Sequence, residues 1–284
     1  MQQVAPQIYY EDLYYGVVLG AILLPLGTIL IDAPLRAEDV RAWRIALSGL
    51  KGSHHRILVN LDAHPDRALG ARAMECTIVA HHKTAQVFRN RPSFIKTQSA
   101  ESGADWEMNN EVVSTRWVSP DITFTHDLVF HLGGPEVVLE YHPGPSPGAT
   151  WVIIPSQRVI FVGDAVMQDQ PPFLAFADLH AWLESLQLLI NSYREYLIIS
   201  GRSGPVTIEA ARAHLQFLRT VLKGTERLAK RNAPPEATEA LVPKLLEHFP
   251  SPPDRLELYA QRLRHGIYQY YAQRYKPSEN PDKE

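Results

Sequence analysis

The sequence predicts an α/β protein (α+β, layered) followed by a helical extension. Three observations carry this. Before Ile122, short apolar runs alternate with stretches whose apolar residues recur every three or four positions, the periods of strand and helix. From Ile122, the runs ITF, LVFHL, EVVLEYH, TWVIIP and RVIFVGD succeed one another between Gly-Gly, Pro-Gly and Pro-Ser turns. From Thr207 the pattern is helical. Composition agrees: 45% hydrophobic and 21% charged residues among 284 exclude a disordered or collagen-like chain.

Taken in order, Tyr15–Ile31 carries no charge over a length near that of a membrane span. Gly16, Gly20, Pro25 and Gly27 interrupt it and Asp32 closes it, so it reads as two strands, Gly16–Leu24 and Thr28–Asp32, joined at Pro25-Leu26-Gly27. No basic stretch precedes it, so a secretory signal is not expected. Val40, Trp43, Leu47 and Leu50 mark a helix that Gly52 stops. A strand at Arg56–Asn60, a short helix over Ala68–Glu75 and a strand at Thr77–Ala80 follow. Phe88–Met108 is polar and reads as a surface excursion or lid. Asp178 is placed to cap a helix over Leu179–Asn191, ahead of a strand at Tyr196–Ser200. Thr207 caps a helix with the stripe Ile208, Ala211, Leu215, Leu218 and Leu222. The last helix carries Leu256, Tyr259, Leu263, Ile267 and Tyr270, a stripe expected to pack on the main domain, with a homodimer contact as the alternative. Pro277–Glu284 is expected to fray. The division is 1–206 for the α/β domain and 207–284 for the helical extension.

Lys and Arg number 28 against 31 Asp and Glu, a net charge of −3 that gives no reason to expect nucleic acid as a partner. The lone cysteine, Cys76, excludes an internal disulfide and a cysteine-based zinc site, and suits a soluble, cytoplasmic protein. Twelve histidines remain as the place to look for metal chemistry.

Four segments place polar residues just past the end of an apolar strand: ILID (Ile29–Asp32), VNLDAHPDRALG (Val59–Gly70), HPGPSPGATWVIIP with VIFVGDAV (His142–Val166), and LIISGRSGP (Leu197–Pro205). In their order, and with AHH and GGPEVVLEY, they resemble the metallo-β-lactamase superfamily over about Gly16 to Pro205. The resemblance implies an αββα sandwich of two mixed sheets flanked by helices, with a site at one edge where the family holds two metals and a bridging hydroxide.

Carried over position by position, the family's H-x-H-x-D-H reads Asp62-Ala63-His64-Pro65-Asp66-Arg67. Pro145 stands at the next histidine, Asp164 at the bridging carboxylate, and Arg202 at the last histidine. Only His64, Asp66 and Asp164 keep the family residue. In the family layout one metal would use the Asp62, His64 and Pro145 positions, and the other those of Asp66, Arg67 and Arg202. Proline supplies no side-chain ligand and guanidinium stays protonated, so a conventional dinuclear zinc centre is not expected. Arg67 and Arg202 can pair instead with Asp66 and Asp164. The cofactor expectation is none, or a single divalent metal, zinc by preference, on Asp62, His64 and Asp164.

Three functions compete. One is a hydrolase with at most one metal, in which Asp66, Arg67 and Arg202 are the catalytic candidates acting as base and anion stabilisers. Another is an inactive relative acting as a binding or assembly module. The third is a metal-independent cleft in which the arginines grip an anionic small molecule. For the other histidines the plain reading is structural: a hydrogen bond for His81-His82, solvent for His54-His55, and for His142 a place near the cleft but off the ligand positions.

Overall fold

The computed structural model describes residues 1–50, 52–91, 101–108 and 116–276. Among them, two sheets of seven and six strands lie face to face. The first runs in chain order through β1 (Gln2–Ala5), β2 (Ile8–Glu11), β3 (Leu19–Leu24), β4 (Gly27–Ile31), β5 (Arg56–Val59), β6 (Thr77–His81) and β7 (Ile122–Phe124). Its pairs are antiparallel up to β4 and parallel from β4 to β7. The second contains β8 (Asp127–Phe130), β9 (Val137–Tyr141), β10 (Thr150–Ile154), β11 (Val159–Gly163), β12 (Leu197–Ser200) and β13 (Gly204–Val206), ordered β13-β12-β11-β10-β9-β8. Only its β11–β12 pair is parallel.

Between the sheets, Ile22, Ile29, Ile31 and Val59 meet Leu139, Val152, Phe161 and Ile199. The outer face of the first sheet packs Ala21, Leu30, Leu58 and Ile78 with Val40, Trp43 and Leu47 of α1 (Ala37–Ser48). On the second sheet, Trp151, Ile153, Ile160 and Val162 pack in one core with α4 (Leu179–Ser192), α5 (Ile208–Lys230), α6 (Val242–Leu246) and α7 (Leu256–Tyr275). Both faces of the central strands are covered, which is why TWVII and VIFVG read as continuous apolar runs rather than alternating ones. The layers are those of an αββα sandwich. Asp178 caps α4 by accepting from His180 and Ala181 N–H, and Thr207 caps α5 by accepting from Ala210 N–H.

Several boundaries differ from the sequence reading. The Ala68–Glu75 helix divides into α2 (Pro65–Ala68) and a 3-10 turn, Ala71–Met74. Gly70 lies at the break because a Cβ there would stand 1.9 Å from the Pro34 carbonyl oxygen. Phe88 belongs not to an irregular excursion but to α3 (His82–Asn90), which His81 caps by accepting from Lys83 N–H. The excursion retains a 3-10 turn at Asp105–Met108; its middle, 92–100, and the tail from Pro277 lie outside the described residues. The edge strands β1 and β13, and β2 beside β1, are not expected from the sequence pattern. No helix among the described residues is long and apolar enough to cross a membrane. In the last helix Leu263, Ile267 and Tyr270 are buried in the core shared with the second sheet, while Leu256 is exposed.

The fold brings four strand ends to one edge. Asp32 follows β4, Asp62 follows β5, Asp164 follows β11 and Arg202 follows β12. Backbone bonds from Val18 N–H to Gly201 O (2.8 Å) and from Thr150 N–H to Leu61 O (2.9 Å) join the two halves there.

Candidate functional site

The site is built from the turns that leave these strands. Asp32 sits in the left-handed region (φ 57°), which swings its carboxylate across the end of β5. There Oδ1 accepts from Leu61 N–H at 2.9 Å. Asp62 Oδ1 accepts from His64 N–H at 2.8 Å, and His64 Nδ1 caps α2 by accepting from Asp66 N–H at 3.3 Å, with Pro65 as its first residue. That single turn sends both Asp66 and Arg67 inward.

Arg67 is 0% exposed and reaches three carboxylates. Its Nη1 donates to Asp32 Oδ2 at 3.1 Å, its Nη2 donates to Asp164 Oδ1, and its Nε lies 3.2 Å from Asp62 Oδ1, off hydrogen-bond alignment. Two glycines make the slot: a Cβ on Gly201 would stand 2.9 Å from Arg67 Nη1, and one on Gly163 3.3 Å from it. The Arg202 side chain is 1% exposed. Its Nε stands 3.1 Å from each Asp164 oxygen, and its Nη1 donates to Asp66 Oδ2 at 2.7 Å and to Gly16 O at 3.0 Å. Its Nη2 donates to His64 Nδ1 at 3.0 Å, which leaves the imidazole proton on Nε2.

All six residues singled out in the sequence therefore converge: Arg202 touches His64 of one family ligand set and Asp66 of the other, Arg67 touches Asp62, and both hold Asp164 at the bridging position. Four further members were missed. Asp32 closes the ILID run, at a position to which the sequence alone assigns no role. Asp105, from the polar excursion, lies 3.7 Å from Arg202, 3.1 Å from Arg255 and 3.6 Å from Arg262. Arg262 comes from α7, and Phe173 packs at a tilt against His64 with the Arg202 and Arg262 guanidiniums 4.6 and 4.2 Å from its ring centroid. Nothing local in the sequence marks these last two. His142 stacks on Trp151, with its Nε2 2.9 Å from Glu140 Oε2. His81 Nε2 sits 2.8 Å from Thr125 O, the structural bond its position suggested.

The charges are unevenly compensated. Burial pushes Asp164 upward, but the Arg202 and Arg67 guanidiniums outweigh it and hold the carboxyl below its ordinary value. Asp66 is pushed up to about 6 and Asp32 to about 7, burial exceeding the pull of Arg202 and Arg67 respectively. Arg67 and Arg202 are both raised, their carboxylates outweighing burial. His64 Nδ1 lies 3.4 Å from Asp66 Oδ2, yet burial and the Arg202 and Arg67 charges hold the imidazole neutral, so this is no ion pair.

A divalent ion needs several free lone pairs aimed at one point. Here His64 Nδ1 is taken by Asp66 N–H and Arg202, and both Asp164 oxygens by guanidiniums. Asp62 is taken by His64 N–H and by Ser146 Oγ–H at 2.8 Å. Among the described residues, no group of three or more His, Cys, Asp or Glu is arranged to hold a metal. The residues present do not fit the dinuclear centre, nor the single-metal set of Asp62, His64 and Asp164 in this arrangement. Beside the core lies a cavity of about 520 Å³ that His64, Ser146 and Phe173 border.

The sequence model of the metallo-beta-lactamase superfamily matches residues 26–202. No curated protein sequence matches the chain. Among solved structures, a metallo-beta-lactamase family protein from Thermus thermophilus superposes with a TM-score of 0.65 at 16% identity, covering 94% of this chain and 92% of that one. The metallo-beta-lactamase from Pontibacter korlensis gives 0.57 at 19% identity, covering 77% and 97%. The stereoselective inverting sec-alkylsulfatase from a Pseudomonas species gives 0.67 at 15% identity over 98% of this chain, which spans 51% of that enzyme's length. At these identities the likeness concerns the fold alone.

Proposed function

Because the chain belongs to the metallo-beta-lactamase superfamily, and because two buried guanidiniums occupy the carboxylates at that family's metal-ligand positions, we propose that it is a metal-independent, ligand-binding member rather than a dinuclear hydrolase. Asp164 carries this reading. It stands at the position of the bridging ligand, and it bridges Arg67 and Arg202. Two fixed positive charges take the place of two divalent ions, and planar forks suit carboxylate pairs better than a point charge does.

The same geometry weighs against the catalytic roles considered from the sequence. Asp66 is wholly buried, with Oδ1 accepting from Trp106 N–H at 2.7 Å and Oδ2 from Arg202, so it presents no free oxygen to a substrate. Arg67 is committed to Asp32, Asp62 and Asp164, and Arg202 to Asp66, Asp164, His64 and a backbone oxygen, so neither is free to grip an anion. The arginine–aspartate core thus holds this edge together, and the neighbouring cavity, which His64 borders, takes the ligand.

Thermal melting of chelator-free protein tests this. The melting temperature is expected to stay the same with excess EDTA and with added zinc or manganese. A saturable rise with zinc that Asp62→Ala or His64→Ala removes would overturn the proposal.

A further inference from the structure

The cavity beside the core is walled largely by apolar groups, among them Trp106, Phe173, Leu174 and Phe176, and its volume of about 520 Å³ falls in the range of small-molecule sites. Two arginines, Arg91 and Arg262, line it as well. They differ from Arg67 and Arg202 in being short of counter-charge. Among the described residues no carboxylate lies within ion-pair distance of Arg91. Its Nη1 donates to Ala63 O at 2.7 Å and its guanidinium lies 4.6 Å from the Trp117 ring centroid. Arg262 is 1% exposed; its Nε donates to Gly103 O and its Nη1 to Gln170 Oε1. Its Nη2 has no hydrogen-bond partner among the described residues, and the nearest carboxylate, Asp105, stands 3.6 Å away and is shared with Arg202 and Arg255.

Burial lowers both guanidiniums to about 10, the opposite of what their carboxylates do to Arg67 and Arg202. A desolvated cation with too little compensation is costly, and an arriving anion relieves that cost. Glu107, in the same wall, does not supply the relief: its carboxylate is turned to its own loop, where it accepts from Ser102, Gly103 and Ala104 N–H.

We propose that the cavity binds an amphipathic monoanion, its acyl or aryl body against Trp106, Phe173 and Phe176 and its carboxylate-class head on Arg91, with Arg262 as the second positive charge of the wall. This rests on reading the cavity as the ligand site of a metal-independent protein. Calorimetric titration of the full chain with decanoate and with decanol tests it. Decanoate is expected to bind one to one and at least about tenfold more tightly than decanol, the worth of a charged hydrogen bond. Arg91→Gln is expected to weaken decanoate about tenfold or more and leave decanol unchanged, with Arg91→Lys in between. Phe176→Ala, at a side chain 67% exposed and so safe for folding, is expected to weaken both. Equal affinity for the two probes, indifference of decanoate to Arg91→Gln, or no saturable binding of decanoate would overturn the proposal. Metal retained in the same preparation would instead overturn the metal-independent reading, whatever the probes do.

Discussion

Arg202 and Asp164 face one another with the arginine Nε 3.1 Å from each carboxylate oxygen, both side chains nearly inaccessible to solvent. On the other side of the same carboxylate stands Arg67. Buried ion pairs of this kind add little against an apolar replacement of the whole set, but removing one member strands the rest.

Arg67→Ala is therefore expected to destabilise the fold by about 3 kcal/mol or more, because Asp32, Asp62 and Asp164 lose their shared cation. Arg67→Lys should recover only part of the loss, since one ammonium cannot serve three carboxylates placed around a planar fork. Denaturant unfolding measures both; a parent-like midpoint for Arg67→Ala would contradict the assignment of Arg67 to the core.

Gly201→Ala probes the slot itself. The new Cβ would stand 2.9 Å from Arg67 Nη1 and 3.0 Å from Gly163 Cα. The arginine is pinned by its carboxylates and the backbone by the Gly201–Gly163 hydrogen bond, so neither can yield cheaply. A loss of about 1–3 kcal/mol is expected in the same unfolding experiment.

His214 gives a pH signature. It is buried on α5, and its Nδ1 sits 3.1 Å from Met167 O. Burial lowers its pKa from 6.5 to about 4, outweighing that bond and the pull of Asp164. The unfolded chain thus binds the proton first, so stability present above pH 6.5 is lost as pH falls from 6.5 towards 4, by about 3 kcal/mol. Asp32, raised from 3.8 to about 7, works the other way: its contribution is full below pH 3.8 and falls as pH rises towards 7. The check is thus a comparison: unfolding free energies across pH 4–7 should fall less steeply towards acid in His214→Phe than in the parent.

The sandwich was legible because each central strand is buried on both faces and leaves an unbroken apolar run, and because Asp178 and Thr207 cap helices with short side chains just ahead of an apolar stripe. The polar helix α3 was not legible: HKTAQVFRN presents only Ala85 and Phe88 as buried hydrophobics, too few for a clear period. At the site, the resemblance to the family's ligand motifs led to Asp62, His64, Asp66, Arg67, Asp164 and Arg202, in segments that each follow a strand end. Arg262 and Asp105 escaped because they arrive from α7 and from a polar turn, and only tertiary packing brings them to Phe173 and Arg202. The histidine count misled for a related reason. Most histidines went to caps, stacks and the surface, and the one at a ligand position, His64, spends its Nδ1 on Asp66 N–H and a guanidinium.

Under the proposed function Arg67 and Arg202 stand where metals would. Elemental analysis of the protein, purified without chelator from medium supplemented with zinc, iron and manganese, tests it most directly. Substoichiometric amounts of all three are predicted, unchanged in Asp164→Asn. One or two equivalents of any of them per chain, lost in Asp164→Asn, would contradict it.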